Sequence, residues 1–228
     1  FNTIYEASKI ALEFMIPVMV LSDGYVANGS EPWNIPKFAD LPDIKPNMAT
    51  DSDSFQPYDH DEKTLSRKWA IPGMKNFEHR VGGLEKANKT GNVSYDPDNH
   101  HYMVEHRQKK VDIIANYIPE ATPFGDIKGD ILVLGCGGTY GALRSAVEKA
   151  QSKGYSVAHL HLRHINPFPS NLGELLVGYK KVLIPELNLG QLNTMIRSQF
   201  LIDTHGYNVV AGKPFSSNEI LTEIEKLI

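Results

Sequence analysis

Short apolar runs separated by helical patterns dominate the second half of the chain. The runs are DILVLG, YSVAHLHL, KKVLIPE and YNVVAG, and each has the length of a buried strand. Helical patterns begin near Ala142 and Asn171 and recur in GQLNTMIRSQFLI and SSNEILTEIEKLI. In the last of these, Ser216 and Glu219 have the spacing of a capping box. Alternating strands and helices require parallel strands joined by right-handed crossovers. The pattern therefore predicts an open, mostly parallel, three-layer α/β domain over residues 125–228.

The first thirty residues combine one helical pattern with one short apolar run. IYEASKIALEF places Ile4, Ala7, Ala11 and Phe14 at helical spacing, and PVMVLS follows as a predicted buried strand. Together they indicate the last helix and strand of an α/β domain. We therefore expect the chain to be a piece of a longer polypeptide, with parts of any catalytic site outside it.

A segment with little periodicity separates these two parts. Residues 31–97 hold seven of the fourteen prolines, and such a stretch predicts a connector that is ordered by neighbouring surfaces. A helix is predicted near residues 98–118, because apolar side chains recur there at helical intervals before Pro119 ends the pattern. Residues 31–124 are therefore predicted to form a connector that contains one helix.

Composition and charge exclude several classes of protein. A net charge of −4 gives no general attraction to nucleic acid. No apolar stretch approaches the ~20 residues that cross a bilayer, so we expect no membrane association. Cys136 is the single cysteine, which excludes an internal disulfide and an iron–sulfur cluster ligated by this chain alone. These properties favour a reducing, cytoplasmic compartment.

The glycine-rich turn from Gly135 to Gly141 has two interpretations. It lies between a predicted strand and a predicted helix, where backbone amides can hold a phosphate. However, Tyr140 occupies the third glycine position of the dinucleotide fingerprint, and no acidic residue ends the next strand. A tight turn without a ligand is favoured, and a free-standing nucleotide-binding α/β module is the alternative. For Cys136, a small buried side chain is favoured over a reactive thiol.

Histidines provide the other candidate chemistry. His159 and His161 alternate along one predicted strand and therefore point to the same face, with His164 just beyond it. No carboxylate nearby completes a ligand set, so we predict no metal site. No nucleophile elbow, paired-carboxylate motif or zincin helix occurs. The chain therefore shows no complete catalytic set of its own.

Five segments in order carry a resemblance to a known family. PVMVLSDGYVANGSEPW, WAIPGMKNFEHRVGGLEKANKTGNVSYDP, GGTYGAL, HLRHINPFPSNLGELL and VLIPELNLGQL together resemble the α subunit of 2-oxoacid:ferredoxin oxidoreductases, most closely the 2-oxoglutarate type. The resemblance implies that the chain is the C-terminal part of that subunit. Residues 1–30 would end a thiamine-pyrimidine-binding-like domain, and residues 125–228 would form an α/β domain resembling the C-terminal domain of transketolase.

The resemblance also implies an activity. The family oxidatively decarboxylates a 2-oxoacid on thiamine diphosphate, passes electrons through an iron–sulfur cluster to ferredoxin, and transfers the acyl group to coenzyme A. In the family, the catalytic glutamate lies earlier in the α subunit, and the β subunit holds the diphosphate, the Mg²⁺ and the cluster. We therefore expect no catalytic residue here, an isolated fragment without activity, and a role in domain packing and subunit assembly.

Two groups of residues are candidates within this role. Asp23 and Asn28, at the exit from the thiamine-type domain, are weak candidates for indirect support of the cofactor. Glu186, Asn188 and Gln191 follow a predicted strand end, where open sheets place ligands or subunit contacts. By resemblance they are predicted to lie at an interface.

Overall fold

A four-stranded parallel sheet is the centre of the second half of the chain in the computed structural model, which describes all 228 residues. The strands are β1 (Gly129–Cys136), β2 (Val157–Leu162), β3 (Tyr179–Glu186) and β4 (His205–Asn208). The helices are α1 (Asn2–Phe14), α2 (Gly24–Ala27), α3 (Pro97–Ile113), α4 (Tyr140–Ser152), α5 (Leu172–Leu176), α6 (Gln191–Phe200) and α7 (Ser217–Leu227).

The chain divides into two units. The first holds Phe1–Val20 and Pro32–Ile114, and the second holds Leu21–Glu31 and Ala115–Ile228. The short segment 21–31 thus belongs to the second unit, although the residues on either side of it belong to the first. We call it segment 21–31 below.

The sheet of the second unit has the order β2-β1-β3-β4, and every neighbouring pair is parallel. The register pairs Val133 with His159 and Gly135 with His161, so each pair lies on one face of the sheet.

The predicted strands DILVLG, YSVAHLHL and KKVLIPE are present, and the predicted fold class, an open parallel sheet between helices, is confirmed. The prediction YNVVAG is only partly correct, because β4 shares Tyr207 and Asn208 with it and ends before its apolar residues Val209 and Val210.

Helices cover both faces of this sheet. Ile131 and Val133 pack with α4 and α7, whereas Leu132 and Leu134, the alternate positions of β1, pack with α5 and α6. All four β1 side chains have no exposed surface, and burying each contributes about 1.5–3 kcal/mol. The predicted capping box of α7 is also present, because Ser216 and Glu219 hydrogen-bond to each other's backbone amides.

In the first unit, side chains distant in sequence cap the carboxyl end of α1. Trp69 Nε1 donates to the Leu12 carbonyl at 2.8 Å, and Ser66 Oγ donates to the Glu13 carbonyl at 2.6 Å. Nζ of the buried Lys110 donates to the Met15 carbonyl at 3.3 Å. These bonds satisfy carbonyls that a helix end leaves without partners, and they tie the proline-rich segment and α3 to α1.

The predicted buried strand PVMVLS is wrong. Residues 17–22 form no strand, and Met19 and Leu21 are 84% and 75% exposed. A strand exists only when a neighbouring strand satisfies its backbone groups, and no segment of this chain pairs with these residues. The apolar run indicates burial, but its partner strands are not supplied by the described residues.

Candidate functional site

The carboxyl edge of the parallel sheet holds the candidate ligand-binding loops of the second unit. The loop after β1 leads to α4 on one face, whereas the loop after β3 leads to α6 on the other. Open α/β sheets bind ligands where adjacent loops diverge in this way. Cys136 and Glu186 end the two strands that border this crevice.

Two glycines of the turn after β1, Gly135 and Gly137, are required for different structural reasons. Gly137 has a φ of 59°, which favours glycine. A Cβ atom on Gly135 would lie 2.8 Å from Thr139 Oγ1 and still closer to Leu143, so this glycine permits close packing of α4 on β1. The turn therefore has local packing requirements that do not involve a ligand.

An acidic side chain from segment 21–31 lies against this turn. A Cβ atom on Gly138 would lie 2.8 Å from Cγ of Asp23 and nearer still to its Oδ2. Asp23 also caps α2, because its Oδ1 accepts a hydrogen bond from the Val26 amide at 2.9 Å. Asn28 closes the same short helix by donating from Nδ2 to the Gly24 carbonyl at 2.7 Å.

The position of Asp23 bears on whether the turn can bind the phosphate of a nucleotide. The amino end of a helix attracts anions, and α4 has neither a capping side chain nor an acidic residue in its first turn. Asp23 brings its negative charge to this end, where a bound phosphate would also lie. The resulting repulsion disfavours a phosphate, and the alternative of a free-standing nucleotide-binding module is not supported.

Glu186 and Asn188 organise the start of α6. Glu186 is 4% exposed, and its two carboxylate oxygens accept hydrogen bonds from the Leu192 and Asn193 amides, both at 2.8 Å. Asn188 Oδ1 accepts from the Gly190 amide at 2.7 Å. The sequence placed these residues at a strand end, but it did not reveal that Glu186 is directed inward.

Cys136 ends β1 close to Glu186. Burial raises the pKa of its thiol, and the negative charge of Glu186 raises it further. The thiolate is the nucleophilic form of cysteine, so this thiol is protonated and unreactive at neutral pH. The raised pKa agrees with the favoured interpretation that Cys136 is not a reactive thiol, although the side chain is only half-buried.

His159 and His161 lie together beneath the first residue of α4. The Tyr140 ring centroid is 5.5 Å from that of His159 and 5.0 Å from that of His161. His159 Nε2 and His161 Nδ1 are both buried without a hydrogen-bond partner. Burial, with smaller contributions from His161 and Arg144, lowers the pKa of His159 to about 4. Burial also lowers the pKa of His161, so both imidazoles are neutral at pH 7. No group of three or more potential metal ligands exists in the chain.

None of the helices has the combination of length and apolar character that a membrane span requires.

Comparison with known families gives two matches in chain order. Residues 1–96 match the family described as pyruvate flavodoxin/ferredoxin oxidoreductase, thiamine diphosphate-binding. Residues 129–218 match the family described as pyruvate:ferredoxin oxidoreductase core domain II. Segment 21–31 therefore belongs to the first family match but lies within the second structural unit.

Individual relatives agree with the family matches. The chain is 48% identical over 223 residues to 2-oxoglutarate oxidoreductase subunit KorA of Mycobacterium tuberculosis, covering 96% of this chain and 34% of that protein. It is 28% identical over 200 residues to the α subunit of 2-oxoacid:ferredoxin oxidoreductase 1 of Aeropyrum pernix, covering 84% of this chain and 31% of that protein. The chain spans about a third of the length of these relatives.

A solved structure shows the same arrangement of the backbone. It is the 2-oxoglutarate:ferredoxin oxidoreductase of Magnetococcus marinus with 2-oxoglutarate, coenzyme A and succinyl-CoA bound. The match has a TM-score of 0.89 and 27% identity, and it covers 96% of this chain and 38% of that one. These matches confirm the family resemblance predicted from the five sequence segments. The chain belongs to the family of 2-oxoacid:ferredoxin oxidoreductase α subunits.

Proposed function

We propose that the chain is part of a thiamine-diphosphate-dependent enzyme that converts 2-oxoglutarate, coenzyme A and oxidised ferredoxin to succinyl-CoA, CO2 and reduced ferredoxin. The observation that carries this proposal is the 48% identity, over 96% of the chain, to a subunit named for 2-oxoglutarate oxidation. The solved relative, which has 2-oxoglutarate, coenzyme A and succinyl-CoA bound, supports the same substrates.

The residues of this chain do not by themselves fit the cofactors of such an enzyme. Asp23 places a negative charge at the glycine turn, where a diphosphate would be repelled. No three potential metal ligands converge to hold Mg²⁺, and one cysteine cannot ligate an iron–sulfur cluster. Thiamine diphosphate, Mg²⁺ and the cluster are therefore assigned to other parts of the full protein and to a β subunit. We propose a cytoplasmic compartment for the full protein, because a single cysteine, Cys136, forms no internal disulfide.

The role proposed for this chain is domain packing and subunit assembly. Gln191 is exposed at the start of α6, beside Leu189, which is 82% exposed. Met195, one turn further along α6, is 37% exposed. An exposed apolar group beside a rigidly capped helix start suits a contact with another domain or subunit. This supports the interface proposed for Glu186, Asn188 and Gln191, in which the buried Glu186 holds the helix start and Gln191 makes the contact.

The activity is tested with the full-length protein coexpressed with its β subunit. We expect coenzyme-A-dependent reduction of ferredoxin or a viologen dye, with a kcat/KM for 2-oxoglutarate at least about tenfold above that for pyruvate, because the two substrates differ by a carboxylate that a dedicated site can bind. Omission of thiamine diphosphate from protein purified without it serves as the control. Equal rates with the two 2-oxoacids would contradict the substrate assignment, and thiamine-independent rates would contradict the reaction class.

The interface is tested at Gln191, because its side chain is exposed and its replacement leaves the fold intact. We expect Gln191→Arg to weaken assembly of the full complex at least about tenfold, since an arginine buried there would lack a partner charge. Analytical ultracentrifugation measures the effect. Ser152→Arg is the matched control, because Ser152 is exposed at the end of α4, remote from the β3–α6 loop. Unchanged assembly of the Gln191 variant would contradict the interface.

A further inference from the structure

The contact between Asp23 and Gly138 joins two distant parts of the sequence within the second unit. Asp23 belongs to segment 21–31, whereas Gly138 lies in the turn between β1 and α4. Any side chain at position 138 would overlap the Asp23 carboxylate, because its Cβ would lie 2.8 Å from Cγ and 3.0 Å from Oδ1. A residue other than glycine at position 138 would therefore require the Asp23 carboxylate to move away.

The backbone of Gly138 gives no other reason for glycine. Its φ lies outside the left-handed region, unlike that of Gly137. No other atom lies as close to the position of its absent Cβ as those of Asp23. Gly141, three residues later in α4, has nothing within 4 Å of that position. The Asp23 carboxylate is therefore the group that a side chain at position 138 would displace, and Gly141, in the first turn of the following helix α4, provides a comparison site.

Electrostatics favour the same contact. The amino end of α4 has no capping side chain and no acidic residue in its first turn, so the partial positive charge of the helix end is not neutralised locally. Asp23 supplies a carboxylate from outside the helix. The bond from the Val26 amide to Asp23 Oδ1 orients this carboxylate and couples it to the backbone of segment 21–31.

We propose that Asp23, seated on Gly138, is a positioning residue that holds segment 21–31 against the amino end of α4. The effect of this contact on activity rests on the proposed function, because segment 21–31 belongs to the part of the chain that matches the thiamine diphosphate-binding family. Holding this segment fixes the position of these residues of the first family match within the second unit. Asp23 acts through this backbone and touches no reacting group in this chain.

Hydrogen exchange of the full-length protein tests the contact without reference to activity. We expect Gly138→Ala to accelerate exchange of the amides of residues 24–28 by at least about threefold, because the added methyl group displaces the carboxylate and frees α2. In an Asp23→Ala background, Gly138→Ala has no further effect, since nothing remains for the methyl group to displace. Gly141→Ala is the matched control and leaves exchange at residues 24–28 unchanged in both backgrounds.

Two outcomes would overturn the contact. One is wild-type exchange at residues 24–28 in Gly138→Ala, and the other is an equal acceleration in both backgrounds, which would indicate an effect on α4 alone. Asp23→Asn, which keeps an acceptor for the Val26 amide but removes the charge, shows intermediate exchange if the charge contributes. Exchange in Asp23→Asn equal to that in wild type would overturn the electrostatic contribution, whereas exchange equal to that in Asp23→Ala would show that the charge supplies the whole effect.

Kinetics of the assembled enzyme test the positioning role. We expect Gly138→Ala and Asp23→Ala to lower kcat by the same factor while Gly141→Ala retains the wild-type value, because the first two release the same segment. Accelerated exchange with unchanged kcat and KM would show that Asp23 stabilises the local structure without affecting catalysis, and it would overturn the positioning role. A wild-type complex without oxidoreductase activity would instead contradict the proposed function, and the exchange results would still decide the contact.

Discussion

We expect replacement of Glu186 by alanine to lower the free energy of unfolding of the second unit by about 3 kcal/mol. The carboxylate is 4% exposed and accepts hydrogen bonds from the Leu192 and Asn193 amides. Alanine leaves both amides without a partner in a buried site, and it removes a negative charge from the amino end of α6. The loss of two charge-assisted hydrogen bonds and the cavity left by the side chain both lower the free energy of unfolding.

Urea unfolding of the full-length protein, followed by circular dichroism, measures this loss. Tryptophan fluorescence is unsuitable, because Trp33 and Trp69 both belong to the first unit. Glu225→Ala is the matched control, since Glu225 forms only a surface ion pair with Lys153, and we expect it to change stability by less than about 1 kcal/mol. A Glu186→Ala variant as stable as this control would show that the two amides find other acceptors.

The second large effect is a loss of stability in acid that originates at His159. Burial lowers the pKa of His159 from 6.5 to about 4. Above pH 6.5 the side chain is neutral in both the folded and the unfolded chain, so the stability is fully present there. As the pH falls from 6.5 towards 4, the unfolded chain binds a proton that the folded chain does not. The folded state therefore loses about 3 kcal/mol across this window.

Burial is the main reason why the folded chain resists this proton, and neighbouring positive charges add to it. His161 shares the same sheet face, and its pKa is also lowered, mainly by burial. The Arg144 guanidinium lies 3.1 Å from the Phe124 ring centroid and adds positive charge near His159. No carboxylate contributes to the pKa shift of His159, so a protonated imidazole would be buried among like charges.

Substitution of His159 by phenylalanine tests this account. The ring is retained beside Tyr140, and the unpartnered Nε2 is removed, so we expect unchanged or slightly higher stability at pH 7. Between pH 7 and pH 4.5 the variant loses less stability than wild type, by about 2–3 kcal/mol. Urea titrations at the two pH values measure the difference. His205→Phe, at an exposed position of β4, is the control that keeps the wild-type pH dependence. An equal acid loss in His159→Phe would assign the effect to other groups.

Local patterns were sufficient to predict most of the sheet and helices. DILVLG, YSVAHLHL and KKVLIPE were predicted as strands and form β1, β2 and β3, since a continuous apolar run is stable only when both faces of its strand are covered. YNVVAG was only partly correct, because β4 ends at Asn208 and its residues are mostly exposed. The capping box at Ser216 was predicted because its two partners are three residues apart. The predicted helix near residues 98–118 is present as α3, which ends earlier, at Ile113. The family was predicted from five separate segments, because their order along the chain is itself a property of the sequence.

The inward direction of Glu186, the burial of His159 under Tyr140 and the place of Asp23 on Gly138 were decided by tertiary structure. Each depends on atoms that lie far from the residue along the chain or on the other side of a turn, and no periodicity records such distances. PVMVLS was predicted as a strand from its apolar side chains alone, and the prediction failed because no segment of this chain pairs with it. The sequence alone determined which segments can form strands and helices, because backbone hydrogen bonding and apolar periodicity are local. Only the fold determined which charges and rings meet, because that depends on how those elements pack.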